Sequence, residues 1–215
     1  MTINGVKIFL RNGTTDLDVA ISCLSGEFEV LRYLHDAEFD GAIVDAGGYI
    51  GTAAIALSQM FPNATVLTIE PSLENFSILK RNVSNFDNIQ PVYGALVAKD
   101  DGNISLVNRG TGQWGYTAVQ NPLDKIDAEV MHETPSVTLS SLSVSPASIG
   151  ILKLDIEGGE YDLLLNDAET LANIPNIIIE LHDRIIHGCS KEFFNFSKDR
   201  IIVKDAGEKF LSIKK

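Results

Sequence analysis

AIVDAGGYIG, residues 42–51, is the stretch whose reading decides the fold. The apolar run Ala42–Val44 leads into Asp45, three glycines (Gly47, Gly48 and Gly51) follow closely, and Ala53, Ala56, Leu57 and Met60 then recur at helical spacing. A strand, a glycine turn and a helix start together form a seat for a nucleotide-like cofactor. The dinucleotide fingerprint G-x-G-x-x-G is not satisfied in either register. From Gly47 its later glycines would fall on Tyr49 and Thr52, and from Gly48 on Ile50 and Ala53. The glycine that lets a pyrophosphate approach the backbone is therefore missing.

The rest of the chain narrows the class. At 215 residues it suits one α/β domain with a substantial core, and 45% hydrophobic with 21% charged residues is ordinary for a globular protein. A formal net charge of −12 argues against a nucleic-acid partner, which clustered Lys and Arg would have to hold. Cys23 and Cys189 stand alone, so neither a disulfide framework nor a zinc knuckle is indicated. The start MTINGVKIFLRNG has no signal-peptide character and no window reaches membrane-spanning length, which makes a cytoplasmic protein without membrane partners the simplest reading.

From Gly41 onward β-branched runs alternate with helical segments. Ala42–Asp45, Ala64–Glu70, Ile89–Val97, Ile149–Ile156 and Asn176–Leu181 read as five strands. Between them, the helix after Gly51 ends at Pro62-Asn63. Ser72 caps a second helix carrying Leu73, Phe76, Leu79 and Val83, and a third runs through Tyr161, Leu164, Leu165, Ala168 and Leu171. This order predicts right-handed crossovers and a mostly parallel sheet. Gly102–Val107 and Tyr116–Gln120 read as a hairpin or an insertion around the glycine-rich 110–115 loop, in which Trp114 is either a substrate cover or a hairpin tip. The closing IIVKDAGEKFLSI predicts an antiparallel hairpin around Ala206-Gly207. Residues 1–40 form a lead-in, with a helix around Glu27–Asp36, to a domain spanning 41–215.

Ligands of an open α/β sheet lie beyond the carboxyl ends of its strands. Asp45, Glu70 and Asp155 fall there. Glu70 is placed to accept hydrogen bonds from ribose hydroxyls, and no arginine follows it to hold a 2′-phosphate. A carboxylate before the glycine turn would repel a pyrophosphate but suits a cofactor with an ammonium and a cationic sulfur. S-adenosylmethionine meets that description and NAD does not.

D-x-G-x-x-x-G at Asp45–Gly51, EP at Glu70-Pro71, KLDIEGGE at Lys153–Glu160 and IIIELH at Ile177–His182 together resemble the FkbM family of S-adenosylmethionine-dependent methyltransferases. VTLSSL at Val137–Leu142 resembles the segment before the family's K-[IL]-D-[IV]-E-G motif. Arg11, Thr15-Asp16 and Gly26-Glu27-Phe28 resemble its lead-in. The likeness runs from about residue 9 to 183, and Tyr49 departs from it by standing where the family commonly has a small polar residue.

The resemblance implies a Rossmann-like class I methyltransferase fold, here a mostly parallel seven-stranded sheet with a C-terminal antiparallel hairpin. It implies that Asp45, Gly47, Gly48, Tyr49 and Gly51 form the cofactor turn and that Glu70 binds the ribose, with Pro71 and Ser72 beside the adenosine. Ala95 and Leu96 would line the adenine pocket, and Asp155 and Glu157 would face methyl transfer. His182 is a candidate base, because its ordinary pKa is near 6.5 and it ends the strand next in sequence to that of Asp155. The spacing of Asp155, Glu157 and His182 is not diagnostic of a metal, and none is expected. The expected activity is O-methylation of a hydroxyl on a saccharide or small-molecule natural product. The rival readings are a non-catalytic cofactor-binding scaffold and an NAD-dependent oxidoreductase.

Overall fold

The computed structural model describes residues 1–124, 128–205 and 207–215. A two-stranded ribbon, β1 (Thr2–Ile3) with β2 (Val6–Lys7), and helix α1 (Asp16–Leu24) precede the main sheet. The αβ alternation then runs β3 (Ala42–Ala46), α2 (Thr52–Met60), β4 (Thr65–Glu70), α3 (Leu73–Val83) and β5 (Ile89–Tyr93). After an insertion built of β6 (Ala95–Leu96), β7 (Asn103–Asn108) and β8 (Glu129–Val137), it resumes with β9 (Ile149–Leu154), α4 (Glu160–Asn166), α5 (Ala168–Asn173), β10 (Asn176–Glu180) and α6 (Cys189–Phe196). The hairpin β11 (Arg200–Lys204) and β12 (Lys209–Lys214) closes the chain.

The central sheet has seven strands in the order β11-β12-β10-β9-β3-β4-β5. β5, β4, β3, β9 and β10 are parallel, while β12 pairs antiparallel with both β10 and β11. The expected sheet and its closing hairpin are both present; Ala206, placed in the hairpin turn by the sequence, lies outside the described residues. The strand order reverses at β3, which lies between β4 and β9, and this opens a crevice beyond the carboxyl ends of the strands.

Alternate residues of β3 feed two separate cores, one on each face. Ala42, Val44 and Ala46 pack with Leu163, Leu171 and Phe193 of α4, α5 and α6. Ile43 packs with Ile55 and Leu57 of α2, Leu79 of α3, and Val6, Ile8, Cys23, Phe28 and Leu31 of the lead-in. Strands covered on both faces read as continuous apolar runs, which is why they were legible in the sequence.

Several expectations are corrected. Ile89–Val97 is not one strand: at Gly94, with φ 150°, the chain leaves the sheet after β5, and β6 pairs instead with Ser136 and Val137 of β8. A side chain at Gly94 would lie 2.7 Å from the Pro135 carbonyl oxygen, so only glycine allows this crossing. β7 pairs antiparallel with β8, not with Tyr116–Gln120, from which only Thr117 bridges to Val107. The segment is thus an insertion with its own three-stranded sheet. The helix expected from Tyr161 to Leu171 breaks at Asp167, and the lead-in helix is a short 3-10 turn over Glu29–Tyr33. Among the described residues no helix is long and apolar enough to cross a membrane.

The turn that joins β3 to α2 is the tightest point of the frame. Gly47 has φ 82°, and a Cβ there would meet the Asp155 carbonyl oxygen at 1.8 Å, whereas Gly5, also at φ 82°, has nothing within 4 Å. Gly47→Ala is therefore expected to cost about 3–5 kcal/mol, left-handed strain plus a backbone collision. Gly5→Ala should cost only about 1–2 kcal/mol. Denaturant unfolding of the two variants checks the difference, and equal costs would mean that β3 and β9 are not held this closely.

Candidate functional site

The glycine turn borders a cavity of about 870 Å³ at the switch point, within the size range of cofactor sites. Of the residues expected there, Gly47, Gly48, Tyr49, Glu70, Pro71, Ala95, Leu96, Asp155 and Glu157 line it. Asp45, Gly51, Ser72 and His182 do not. Gly51 starts α2 with φ 86° and packs on Leu79 and Val83, and Ser72 caps α3 by accepting from the Asn75 amide at 3.3 Å. Both shape the cavity from behind.

Glu70 joins the two halves of the cofactor end. Its carboxylate accepts from the Tyr49 amide at 2.8 Å, the Ser72 amide at 2.9 Å and Asn75 Nδ2 at 3.2 Å. Burial pushes its pKa up to about 7 in spite of these donors. Oε1 takes the Ser72 and Asn75 donors and Oε2 the Tyr49 amide alone, so Oε2 keeps a lone pair for a further donor, and beside it Ile69, Ala95, Leu96 and Val97 offer an apolar wall. A diol and a flat heterocycle fit this arrangement, so the residues present suit an adenosine.

Asp45, expected at the cofactor's ammonium, lies behind the cavity wall and does not line it. It is fully buried, accepts from Thr68 Oγ1 at 2.8 Å and faces Lys153 Nζ at 3.1 Å. The two residues are register partners on β3 and β9. Burial pulls the Lys153 pKa down, but Asp45 and Asp155 outweigh it and hold the ammonium firmly charged. The same ammonium approaches the Gly47 carbonyl at 3.3 Å and Asp155 Oδ2 at 3.6 Å.

At the other end of the cavity the loop after β9 turns sharply, with Glu157 at φ 52° and Gly158 at φ 97°. Asp155 and Glu157 converge because of this turn, not through the alternation of an extended strand. Glu160 holds the loop, its carboxylate accepting from the Ile156 amide at 2.7 Å and the Gly158 amide at 2.9 Å. It also meets His182 Nδ1 at 3.0 Å. His182 Nε2 then faces Asp155 Oδ1, Glu157 Oε1 and Glu180 Oε1, each at 3.8 Å.

Burial pulls the His182 pKa down, but Glu160, Glu157 and Asp155 overcome it and raise it to about 9. His182 is wholly buried behind the two cavity carboxylates and does not itself line the cavity. Burial raises Glu157 to about 7, while Lys153 and His182 hold Asp155 below its usual range against its own burial.

Two further elements close the walls. Tyr49 donates its hydroxyl to Asp16 Oδ1 at 2.5 Å, and Arg11 bridges Asp16 to Glu74 and Asn75, so the lead-in is fastened to the same Asn75 that touches Glu70. From the insertion, Arg109 is fully buried and binds the Gly115 carbonyl, Asp124 and Glu157. The neighbouring Trp114 turn lies on the cavity wall, fastened by Asn75 Nδ2 to the Gln113 carbonyl at 2.9 Å.

Lys153, Glu160 and Arg109 were missed as site residues by the sequence reading. A lysine inside the apolar run ILKLDI was a usable signal, since a buried strand tolerates one only with a partner. Glu160 was quoted in a motif without a role, and nothing in the spacing marks Arg109.

Residues 45–206 match the Methyltransferase FkbM domain family. Methyltransferase 1 of Beauveria bassiana is 28% identical over 164 residues, 67% of this chain and 66% of that protein. The crystal structure of Methyltransferase FkbM from Methylobacillus flagellatus KT superposes with a TM-score of 0.52 at 16% identity, covering 81% of this chain and 43% of that one. A solved structure from Klebsiella pneumoniae gives a TM-score of 0.53 at 13% identity, over 96% of this chain and 84% of that one. The chain thus spans 66% and 43% of the fungal and Methylobacillus proteins. The chain belongs to the FkbM methyltransferase family, with the Rossmann-like class I fold and S-adenosylmethionine as its cofactor.

Proposed function

We propose that this protein is an S-adenosylmethionine-dependent O-methyltransferase acting on a hydroxyl of a saccharide or other small neutral molecule. The observation that carries the reading is the cavity itself, which has an adenosine-shaped end at Glu70 and two carboxylates, Asp155 and Glu157, at the other. The cofactor supplies an activated methyl group on a sulfonium. The protein's part is alignment and electrostatics. Asp155 and Glu157 accept the hydrogen bond of an incoming hydroxyl and favour the cationic sulfur beside it. Glu157, poised near neutrality, is the group best matched to take the hydroxyl proton. His182 and Glu160 position the pair from behind.

The lining also speaks for a neutral acceptor. Among the described residues its cations are Lys153 and Lys209, and these already face Asp45 and Glu27. Glu27, Glu133, Asp155, Glu157 and Glu180 line the same space, so a phosphorylated or polyanionic acceptor is repelled. Trp114 and Tyr116 add aromatic faces, and Gln113 and Gln120 lie beside them on the wall, the mixture that suits a sugar ring.

Two measurements test the reading. Ribose hydroxyls donating to Glu70 favour its ionised form, so cofactor affinity should be full above pH 7 and fall as pH drops through it. With a pKa of about 7, the loss from pH 8 to pH 6 is about tenfold by calorimetry. Glu70→Gln should abolish that dependence and weaken binding by about 1.5–3 kcal/mol. A flat profile for the parent protein would place the ribose elsewhere.

The second measurement is a screen of hydroxylated acceptors with cofactor labelled in its methyl group. Neutral polyols should accept label and their phosphate esters should not. Glu157→Gln, which removes the proposed base, should cut turnover by about 10²–10⁴ while cofactor affinity falls far less. Methylation confined to nucleic acid or to phosphorylated acceptors would overturn the proposal.

A further inference from the structure

We infer that Asp155, Glu157 and His182 form a binding site for one divalent cation at the acceptor end of the cavity. The ligand atoms of the three residues all lie within 4.8 Å of one another. Bonds of about 2.1 Å place ligands about 3.0 Å apart in cis and about 4.2 Å apart in trans around an octahedral ion. The 3.8 Å from His182 Nε2 to Asp155 Oδ1 and to Glu157 Oε1 falls between those values. The three ligand atoms have to draw in by only a few tenths of an ångström to close on one ion.

A gathering of carboxylates would not suffice, but His182 adds an independent observation. It is fully buried, and its Nε2 is a buried polar atom with no hydrogen-bond partner. Leaving such an atom unpaired is costly unless something fills its direction. Its other nitrogen is fixed by Glu160 at 3.0 Å, and Glu160 is itself buried and anchored by two backbone amides. A carboxylate on one ring nitrogen and an unpartnered second nitrogen are how metal-binding histidines are oriented.

The two carboxylates are divided in the same sense. Asp155 turns Oδ2 to Lys153 and Oδ1 to His182, and Glu157 turns Oε2 to Arg109 and Arg184 and Oε1 to His182. Each thus has one oxygen held by a cation and the other directed at the same point. Asp155 and Glu157 line the cavity, so an ion there has protein on one side and room for an acceptor oxygen on the other. One imidazole with two carboxylates suits an ion such as Mn²⁺.

This role rests on the acceptor-end reading above, but the ion can be tested without turnover. Purified protein, stripped with chelator and free of cofactor, is titrated with Mn²⁺ at pH 8, and the ion is followed by electron paramagnetic resonance. One Mn²⁺ should bind per chain. Asp155→Asn, which keeps shape at a partly exposed position, and His182→Ala should each weaken binding at least about tenfold. Thermal unfolding reports whether either variant remains folded, and Asp155→Asn decides alone if His182→Ala does not. A second readout is the cavity-lining Trp114, whose fluorescence Mn²⁺ should quench in the parent and not in Asp155→Asn. Absence of stoichiometric binding, or equal binding by parent and Asp155→Asn, overturns the site. Mn²⁺ bound as described but no label transferred to any hydroxyl acceptor supports the site and counts against the methyl-transfer reading. Transfer at full rate in chelator with no Mn²⁺ bound does the reverse.

Discussion

The Asp45–Lys153 pair is the interaction on which the rest of the site depends. It links the two strands that flank the switch point across 3.1 Å, directly under the glycine turn, with Asp45 fully buried and Lys153 nearly so. A buried ion pair is weak evidence for stability in itself, because desolvation offsets much of its attraction. Its value lies in position. One ammonium holds Asp45, approaches the Gly47 carbonyl and faces Asp155, so the glycine turn and the loop after β9 are tied to a single atom. Removing either partner would leave an uncompensated buried charge, typically worth about 3–5 kcal/mol.

Around that point the protein builds its cavity from parts that could not form it alone. The sheet contributes Glu70 and Asp155 at strand ends, α2 and α3 contribute their starts, and two irregular segments supply the walls. The lead-in reaches the site through Asp16 and Arg11, which bind Tyr49 and Asn75. The insertion reaches it through Arg109, whose guanidinium is satisfied by the Gly115 carbonyl and two acids. Both connections are charge-assisted hydrogen bonds, stronger and more directional than neutral ones.

The acceptor end concentrates four carboxylates, Asp155, Glu157, Glu160 and Glu180, around one imidazole. Such a gathering is costly unless cations answer it. Lys153, Arg109, Arg184 and Lys209 do so from outside, each on a carboxylate oxygen turned away from the ring. The inner oxygens of Asp155, Glu157 and Glu180 are left directed at His182 Nε2, and this inner negative charge distinguishes that end of the cavity from the end at Glu70.

By itself the sequence determined the doubly covered sheet, the placement of the glycine turn and the acids at the strand ends. These are local matters: continuous apolar runs, helical spacing and turn residues are properties of neighbours in the chain. It also pointed to S-adenosylmethionine, since the missing second glycine of the dinucleotide fingerprint and the resemblance at Glu70-Pro71 and Lys153–Glu160 are both written in it. What only the tertiary structure decided is which charges meet. Asp45 was read as a ligand for the cofactor and is instead the partner of a lysine 108 positions away (153 − 45), because register across β3 and β9 sets them side by side. The split of the third strand follows from a carbonyl of Pro135 pressed against Gly94, a contact no local pattern encodes. Arg109 carries no signal in its own neighbourhood. Its role arises only when the insertion folds back and a buried guanidinium has to find acids, which the loop after β9 and the segment near Asp124 provide.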